Sequence, residues 1–435
     1  MRALRMPALA GCVLLAAAAC GGPGRTEVMP DVNAIAERYV KLVLAVGRHD
    51  PDYVDAYYGD DSWKPTGAPR SLPDLAAEAA ALRADLARAP VPADAPELDR
   101  LRHEYLDRQL ASVESRISML SGVTYTFDEE SQRLYDAVAP HHSEADFQAV
   151  LDEIARLLPG AGPLVDRYAA FRERFVIPRD RLDAVFRAAI TECRARTLAH
   201  LQLPADETFT VEYVTNKSWS AYNWYQGHDT SLIQVNTDLP ITIDRAIDLA
   251  CHEGYPGHHV YNVLLEQTLV RGRGWVEFSV YPLFSPQSLI AEGTANLGIE
   301  VAFPGDERTT FERDTLYPLA GLDPATAARY AAVQKAVEAL SYAGNEAARR
   351  YLNGEIDREA AAAWLGRYAM MPADRAQQRT RFFDQYRSYV INYNLGRDLA
   401  RAYIEGRGGT EDHPDVRWRE FGTLLASPRL PGGLR

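Results

Sequence analysis

The chain has 435 residues, of which 47% are hydrophobic, and a formal net charge of -13. That is enough apolar material for a large core. The acidic balance argues against nucleic acid as a partner, because nucleic acid is gripped chiefly through clustered Lys and Arg.

The first residues read as an address. Arg2 and Arg5 give a short positive start, and Ala8 to Ala19 form an apolar stretch too short to span a bilayer as a stable helix. It ends in Ala17-Ala18-Ala19-Cys20-Gly21, and small residues before a Cys and a Gly resemble a bacterial lipoprotein signal. Residues 1–19 are therefore expected to be a signal peptide and Cys20 the lipidated new N-terminus. The protein would be exported and held by its lipid at a membrane surface of the bacterial cell envelope. The usual Leu three places before the Cys is Ala17 here, so plain cleavage after Ala19 is the alternative. Loss of the leader strips two arginines and no acids, moving the net charge from -13 to -15. Residues 20–30 read as the lipidated Cys and a tether, and 31–435 as one helical domain. Apart from Cys12 and Cys20, only Cys193 and Cys251 remain, which is one conceivable disulfide rather than a framework.

Residues 31–203 are expected to be helical almost throughout. Leu75, Ala79, Leu82 and Leu86 repeat at helical spacing behind Ser71 and Asp74, a capping pair. Ser143 and Asp146 repeat that signal ahead of Phe147, Leu151 and Ile154. Breaks are expected at Pro90-Val91-Pro92, at Pro159-Gly160 and near Pro178. The character changes between 207 and 236. Phe209 to Val214 and Ser231 to Val235 alternate and are rich in β-formers, and the aromatic stretch from Trp219 to Gly227 reads as a loop between two strands. Helices are expected to resume near Thr242 and run to the C-terminus. The fold class is thus mostly α, a large two-lobed helical fold with a small sheet.

The densest chemistry is His252-Glu253-Gly254-Tyr255-Pro256-Gly257-His258-His259. Ile243, Ala246, Ile247, Ala250 and Cys251 form one apolar helical stripe, and at ~100° per residue His252 falls off its centre, toward a cavity. A histidine there can bind a metal, and the adjacent Glu253 can take a proton from water. Zinc-protease helices usually carry the second His four residues on. Here His258 and His259 follow by six and seven residues, ~9 and ~10.5 Å along a straight helix. Two ligands of one zinc at ~2.0–2.1 Å cannot lie that far apart, so the backbone must change course. Pro256 lacks the N–H that would bond back to His252, and Gly257 tolerates unusual dihedrals. His258 lies on the wrong side of an ideal helix, and His259 on the right side but a residue further away, so geometry leaves the choice open.

A third ligand is expected from another helix. Ser285-Pro286 reads as an N-cap and first helical residue, and Glu292 follows among small residues that admit a close neighbour. Asn296, one turn on, can orient a ligand from behind. Leu232 to Val235 could pair with an extended peptide, with Asn236 reaching substrate. Arg379, Arg381 and Arg387 share an aromatic segment, and one of them could grip a substrate carboxylate. His103-Glu104 and His141-His142 lack further ligands nearby and read as surface and loop pairs.

At the motif residues the chain resembles the bacterial family called domain of unknown function 885, whose hallmark is His-Glu-x-x-Pro-Gly-His-His followed by Glu-Gly-x-Ala. The counterparts are His252 to His259 and Glu292-Gly293-Thr294-Ala295. That family is similar in turn to helical zinc metallopeptidases of the carboxypeptidase Taq kind. The resemblance implies His252, His258 and Glu292 as ligands of one zinc or other divalent ion, and Glu253 as base. Its Gly-His pair favours His258 over His259. Many relatives have Trp at the place of Thr294 and Pro-Gly-Gln-Ala-x-x-Tyr-x-x-Gly near the C-terminus. Here Arg387 to Gly396 keeps only the Tyr, as Tyr393, and the final Gly. Tyr393 is the implied oxyanion stabiliser. The activity this resemblance implies is hydrolysis of a peptide bond, in a carboxypeptidase-like manner. The rivals are hydrolysis of another amide or ester, and a binding lipoprotein with a purely structural metal.

Overall fold

The structure is a computed structural model that describes residues 30–434 apart from Ser218 and Leu239. The leader and Cys20 lie outside the described residues. The chain is 65% helix and 7% strand, in the mostly helical class expected. Its buried apolar side chains form one continuous cluster from Ile35 to Leu434. No described helix is long and apolar enough to cross a membrane.

The N-terminal half is built from capped amphipathic helices. Ser71 accepts from the Asp74 backbone N–H to start Leu72–Arg88, whose Leu75, Ala79, Leu82 and Leu86 are buried. Ser143 and Asp146 close a reciprocal capping box on Glu144–Leu157. The 24-residue helix Glu97–Leu120 follows the Pro90–Pro92 break, and its Arg102 pairs at 2.5 Å with the fully buried Glu277. The proline breaks near 159 and 178 also separate helices, ending Glu144–Leu157 and preceding Leu182–Leu198.

Among the described residues there are five strands: β1 (Val54–Tyr57), β2 (Thr208–Val214), β3 (Ala221–Gly227), β4 (Thr230–Asn236) and β5 (Val280–Pro282). Three of these correct the sequence reading. β1 interrupts the expected all-helical stretch, and β5 interrupts the C-terminal one, the two pairing antiparallel. The aromatic stretch read as a loop is β3. It turns into β4 through His228 and Asp229, both with positive φ, as two-residue hairpin turns require. The sheet order is β2-β4-β3, so β4 is flanked on both sides and cannot add a peptide along its edge.

Cys193 and Cys251 are joined, with Cα atoms 5.8 Å apart, tying Leu182–Leu198 to the residue that precedes His252. Closing 58 residues of chain removes much unfolded-state freedom. Cys193→Ser is expected to lower stability by about 3–4 kcal/mol. Urea melts with and without reductant check this: reductant should destabilise the parent chain and leave the variant unchanged.

Candidate metal centre

The helix Ile243–Leu249 buries Ile243, Ala246 and Ile247 and continues into a wider turn, Ala250–Gly254, that carries Cys251, His252 and Glu253. The chain then leaves helical geometry. The Tyr255–Pro256 peptide is cis, and a new helix, His258–Leu265, begins after Gly257. The Gly257 N–H bonds the Cys251 carbonyl at 2.9 Å. A Cβ on Gly257 would lie 1.9 Å from the His252 carbonyl oxygen and 2.4 Å from that of Cys251, so only glycine fits.

The restart turns His258 back toward His252, and their Nε2 atoms stand 3.1 Å apart. Glu292 enters from the helix Pro286–Ala302. Its carboxylate lies 3.3 Å from His252 Nε2 through Oε2 and 3.7 Å from His258 Nε2 through Oε1. One donor atom from each of the three residues falls within 4.8 Å of the others. Glu292 can stand there because its helix presses against a second one, Ile391–Gly406. A Cβ on Gly293 would meet the Gly396 backbone at 2.3 Å, and one on Gly396 the Leu289 carbonyl at 2.5 Å. Ser285 caps this helix by position only, since its hydroxyl makes no bond. Glu300 is taken up by Arg401 at 2.5 Å.

The protonation pattern follows from the hydrogen bonds. Asn296 Nδ2 donates to the Tyr393 carbonyl at 3.1 Å, which turns its Oδ1 to His252 Nδ1 at 3.2 Å. An amide oxygen only accepts, so Nδ1 carries the proton and Nε2 presents a lone pair. Burial opposes charge on His252, but the neighbouring carboxylates of Glu292 and Glu253 outweigh it and raise its pKa. For His258 burial prevails, pushing the pKa down to about 4 and leaving a neutral ring. Glu292 Oε1 accepts from Tyr389 at 2.8 Å, while Oε2 is buried without a hydrogen-bond partner. Burial disfavours the Glu292 anion, yet the two histidines and Tyr389 hold its pKa below the ordinary value. Acceptor atoms thus face one another across a gap with no protein donor between them, a set that fits a divalent cation.

His259 lies elsewhere. It is fully buried, with Nδ1 2.9 Å from Ser231 Oγ and Nε2 2.9 Å from Glu207 Oε2. Tyr255 and Arg194 also donate to Glu207, both at 2.6 Å. This network props the motif from behind.

Glu253 is 5% exposed, and burial followed by the field of Glu292 pushes its pKa up to about 7. Its backbone carbonyl accepts from Asn223 of β3 at 2.7 Å. Tyr393 is partly buried, and its hydroxyl bonds no described side chain. The tyrosine that touches Glu292 is Tyr389, which the sequence reading placed only as an aromatic neighbour. Asn236, expected to reach substrate, instead holds the Lys217 and Trp219 carbonyls. Arg387 is spent on Glu130 at 2.6 Å, Arg381 is exposed, and Arg379 stacks beside Tyr393. His103 meets the Leu86 carbonyl at 2.9 Å, and His141 lies in a loop, both away from the centre.

Asp55 was missed altogether. It sits where the β1–β5 register slips between Val54 and Ala56, an irregularity that re-aims a side chain. Burial, then the charges of Glu292 and Glu253, push its pKa up to about 8. The signal available was the run Tyr53-Val54-Asp55-Ala56-Tyr57, β-formers around a single acid.

No family model and no curated protein matches the chain. Among solved structures, it is similar to "the putative lipoprotein from Colwellia psychrerythraea", at 16% identity and TM-score 0.50, over 83% of this chain and 65% of that one. It is also similar, at 12% identity and TM-score 0.44, to "a putative lipoprotein of unknown function from Shewanella oneidensis", over 81% of this chain and 72% of that one. The chain thus spans less than two thirds of the Colwellia structure, and the likeness shows a shared fold alone.

Two outcomes are expected. Gly257→Ala should cost about 3 kcal/mol or more, because its Cβ has no room beside two carbonyls. Thermal melts of the variant check it. Asp55 keeps its proton to about 8 in the folded chain but loses it near 3.8 when unfolded. Between those values the folded state binds more protons, so this group's contribution to stability is lost as pH rises. Asp55→Asn should flatten that decline by about 1 kcal/mol or more between about pH 5 and about pH 8 in metal-free protein. An unchanged slope in urea melts would show that Asp55 is not held in its neutral form.

Proposed function

We propose that the chain is an exported, lipid-anchored, metal-dependent peptidase, with zinc or another divalent ion held by His252, His258 and Glu292. The observation that carries this reading is the convergence of those three donor atoms within 4.8 Å, beside a buried glutamate. The motif resemblance to the domain of unknown function 885 and to helical zinc metallopeptidases supports the peptide-bond specificity. The Cys20 context supports the lipid anchor, and the Cys193–Cys251 bridge suits an oxidising compartment outside the cytoplasm. The lipoprotein description of the Colwellia protein, which shares the fold, points the same way.

A bound divalent ion supplies Lewis acidity, polarising the substrate carbonyl and lowering the pKa of water. The protein groups divide the remaining work. Glu253, with a pKa near neutrality, takes a proton from the attacking water and returns it to the leaving amine. Its hold on position comes through Asn223. Tyr393 offers a free hydroxyl to the developing oxyanion. Tyr389 and Asn296 fix Glu292 and His252, so neither must reorganise during the reaction.

Purified protein should contain about one divalent ion per chain, and restoring it at ~100 times its Kd should stabilise stripped protein by about 2.7 kcal/mol. Glu253→Gln should keep the metal and lose roughly 10²–10⁴-fold in turnover on a peptide library. Protein that binds no metal defeats the reading. Metal binding without turnover by the parent chain favours a binding lipoprotein, and turnover of esters alone favours the other hydrolase.

A further inference from the structure

β3 has two unlike faces. Asn223 and Tyr225 point inward, to the Glu253 carbonyl at 2.7 Å and to Glu266 at 2.5 Å. Side chains alternate along a strand, so the residues beside them point the other way. These are Tyr222, Trp224 and Gln226, and Trp224 is 42% exposed. The rings form a row: Trp219 lies 5.7 Å from Tyr222, and Tyr222 4.5 Å from Trp224, centroid to centroid. Trp224 is held in place. Its indole N–H donates to Gln234 Oε1 on β4 at 3.3 Å, and Gln234 Nε2 donates to Glu212 on β2 at 3.1 Å. A polar row thus crosses the sheet and meets the aromatic row at Trp224. Among the described residues, Gln234 is the one side chain that bonds the Glu212 carboxylate, which otherwise faces solvent. Gln226 is exposed further along the same face.

We propose that this face binds a glycan chain of equatorially substituted pyranose rings, separately from the metal centre. In such sugars the axial C–H bonds crowd onto the two flat faces and carry slight positive charge, which the negative face of an aromatic ring attracts. The hydroxyls project around the rim, where carboxylate and amide groups can bond them. Both halves of that pattern are present. Trp219, Tyr222 and Trp224 offer a row of rings to successive sugars, and Glu212, Gln234 and Gln226 stand beside them. A ring already locked by Gln234 loses little freedom on binding, so its exposed face is preorganised. Charge argues against other extended or sheet-like partners. β2, β3 and β4 contain no Lys or Arg, and Lys217, just before β3, lies over the Trp219 ring at 5.5 Å. Nucleic acid and anionic lipid both call for clustered basic groups, and the exposed Glu212 repels them. A face that inserts into lipid would carry exposed aliphatic side chains, whereas Val214 and Leu232 here are half-buried. The proposal goes beyond the peptidase reading and does not rest on it: the rings lie on the side of β3 turned away from Glu253.

The test titrates cellohexaose and chitohexaose into the full chain, followed by calorimetry and tryptophan fluorescence. At least one hexamer should bind and change the tryptophan emission, because Trp224 lies in the contact. Trp224→Ala should weaken that binding roughly 10-fold or more. Gln234→Ala, which releases the indole, should weaken it roughly 3- to 10-fold. Trp224→Phe, which keeps a ring, should retain most of the affinity. Metal content and peptide turnover of Trp224→Ala should stay at the parent level. If Trp224→Ala melts early, Trp224→Phe against Trp224→Leu makes the same comparison, since leucine fills the space without an aromatic face. Failure of both hexamers to bind overturns the proposal, and so does binding of equal strength in the parent and in Trp224→Ala. Binding to phosphatidylcholine vesicles that Trp224→Ala abolishes, without binding of either hexamer, overturns it in favour of a membrane-facing surface. Failure of the peptidase reading shows separately, as missing metal or missing turnover in the parent chain.

Discussion

Everything at the centre depends on one restriction: Gly257 packs against the carbonyls of Cys251 and His252 at a distance no side chain allows. Two histidines six residues apart cannot face one point from a continuous helix. The chain therefore stops after the wide turn Ala250–Gly254 and starts a new helix at His258. The new helix has its own rotational phase. That change of phase turns His258 inward beside His252 and sends His259 to the opposite side, toward Ser231 and Glu207.

A break of this kind needs support, because it interrupts helical hydrogen bonding inside a core. The support comes from several directions. The Cys193–Cys251 bridge holds the residue before His252. Tyr255, inside the break, donates to Glu207, which also receives Arg194 and His259. Burial would raise the Glu207 carboxyl, but these three partners hold it below its ordinary range, so the charge behind the motif is matched. From the other side, the Gly293–Gly396 crossing brings Glu292 and its tyrosine within reach. The glycines do for the helix pair what Gly257 does for the turn: each removes a Cβ where backbone must approach backbone.

The sequence made the helices legible where capping and periodicity agreed, as at Ser71 and Ser143. It also showed that the motif required a break, because that followed from spacing and bond lengths alone. It left His258 and His259 unresolved, since an ideal helix is the wrong reference once the phase resets. β3 was hidden because its hairpin turn is His228-Asp229 rather than an Asn-Gly pair. β1 and β5 span only four and three residues, too few for periodicity to register, and Asp55 went with them. The arginines could not be ranked because the acid that silences Arg387 lies 257 residues earlier.

Charge is also distributed unevenly around the centre, and the unevenness has chemical content. Half-buried Asp55 and buried Glu253 are acids whose pKa values rise toward neutrality, so that side holds protons that can be given and taken near pH 7. Cations also act here: Arg379 and Arg375 share one helix, Arg379 lies beside the Tyr393 ring, and Arg245 acts on His252. Arg245 is answered by Asp248 at 3.1 Å, whereas Arg379 has no acid partner among the described residues, an exception in a chain with a net charge of -13. An uncharged core would pack such a space more stably than a buried cation does.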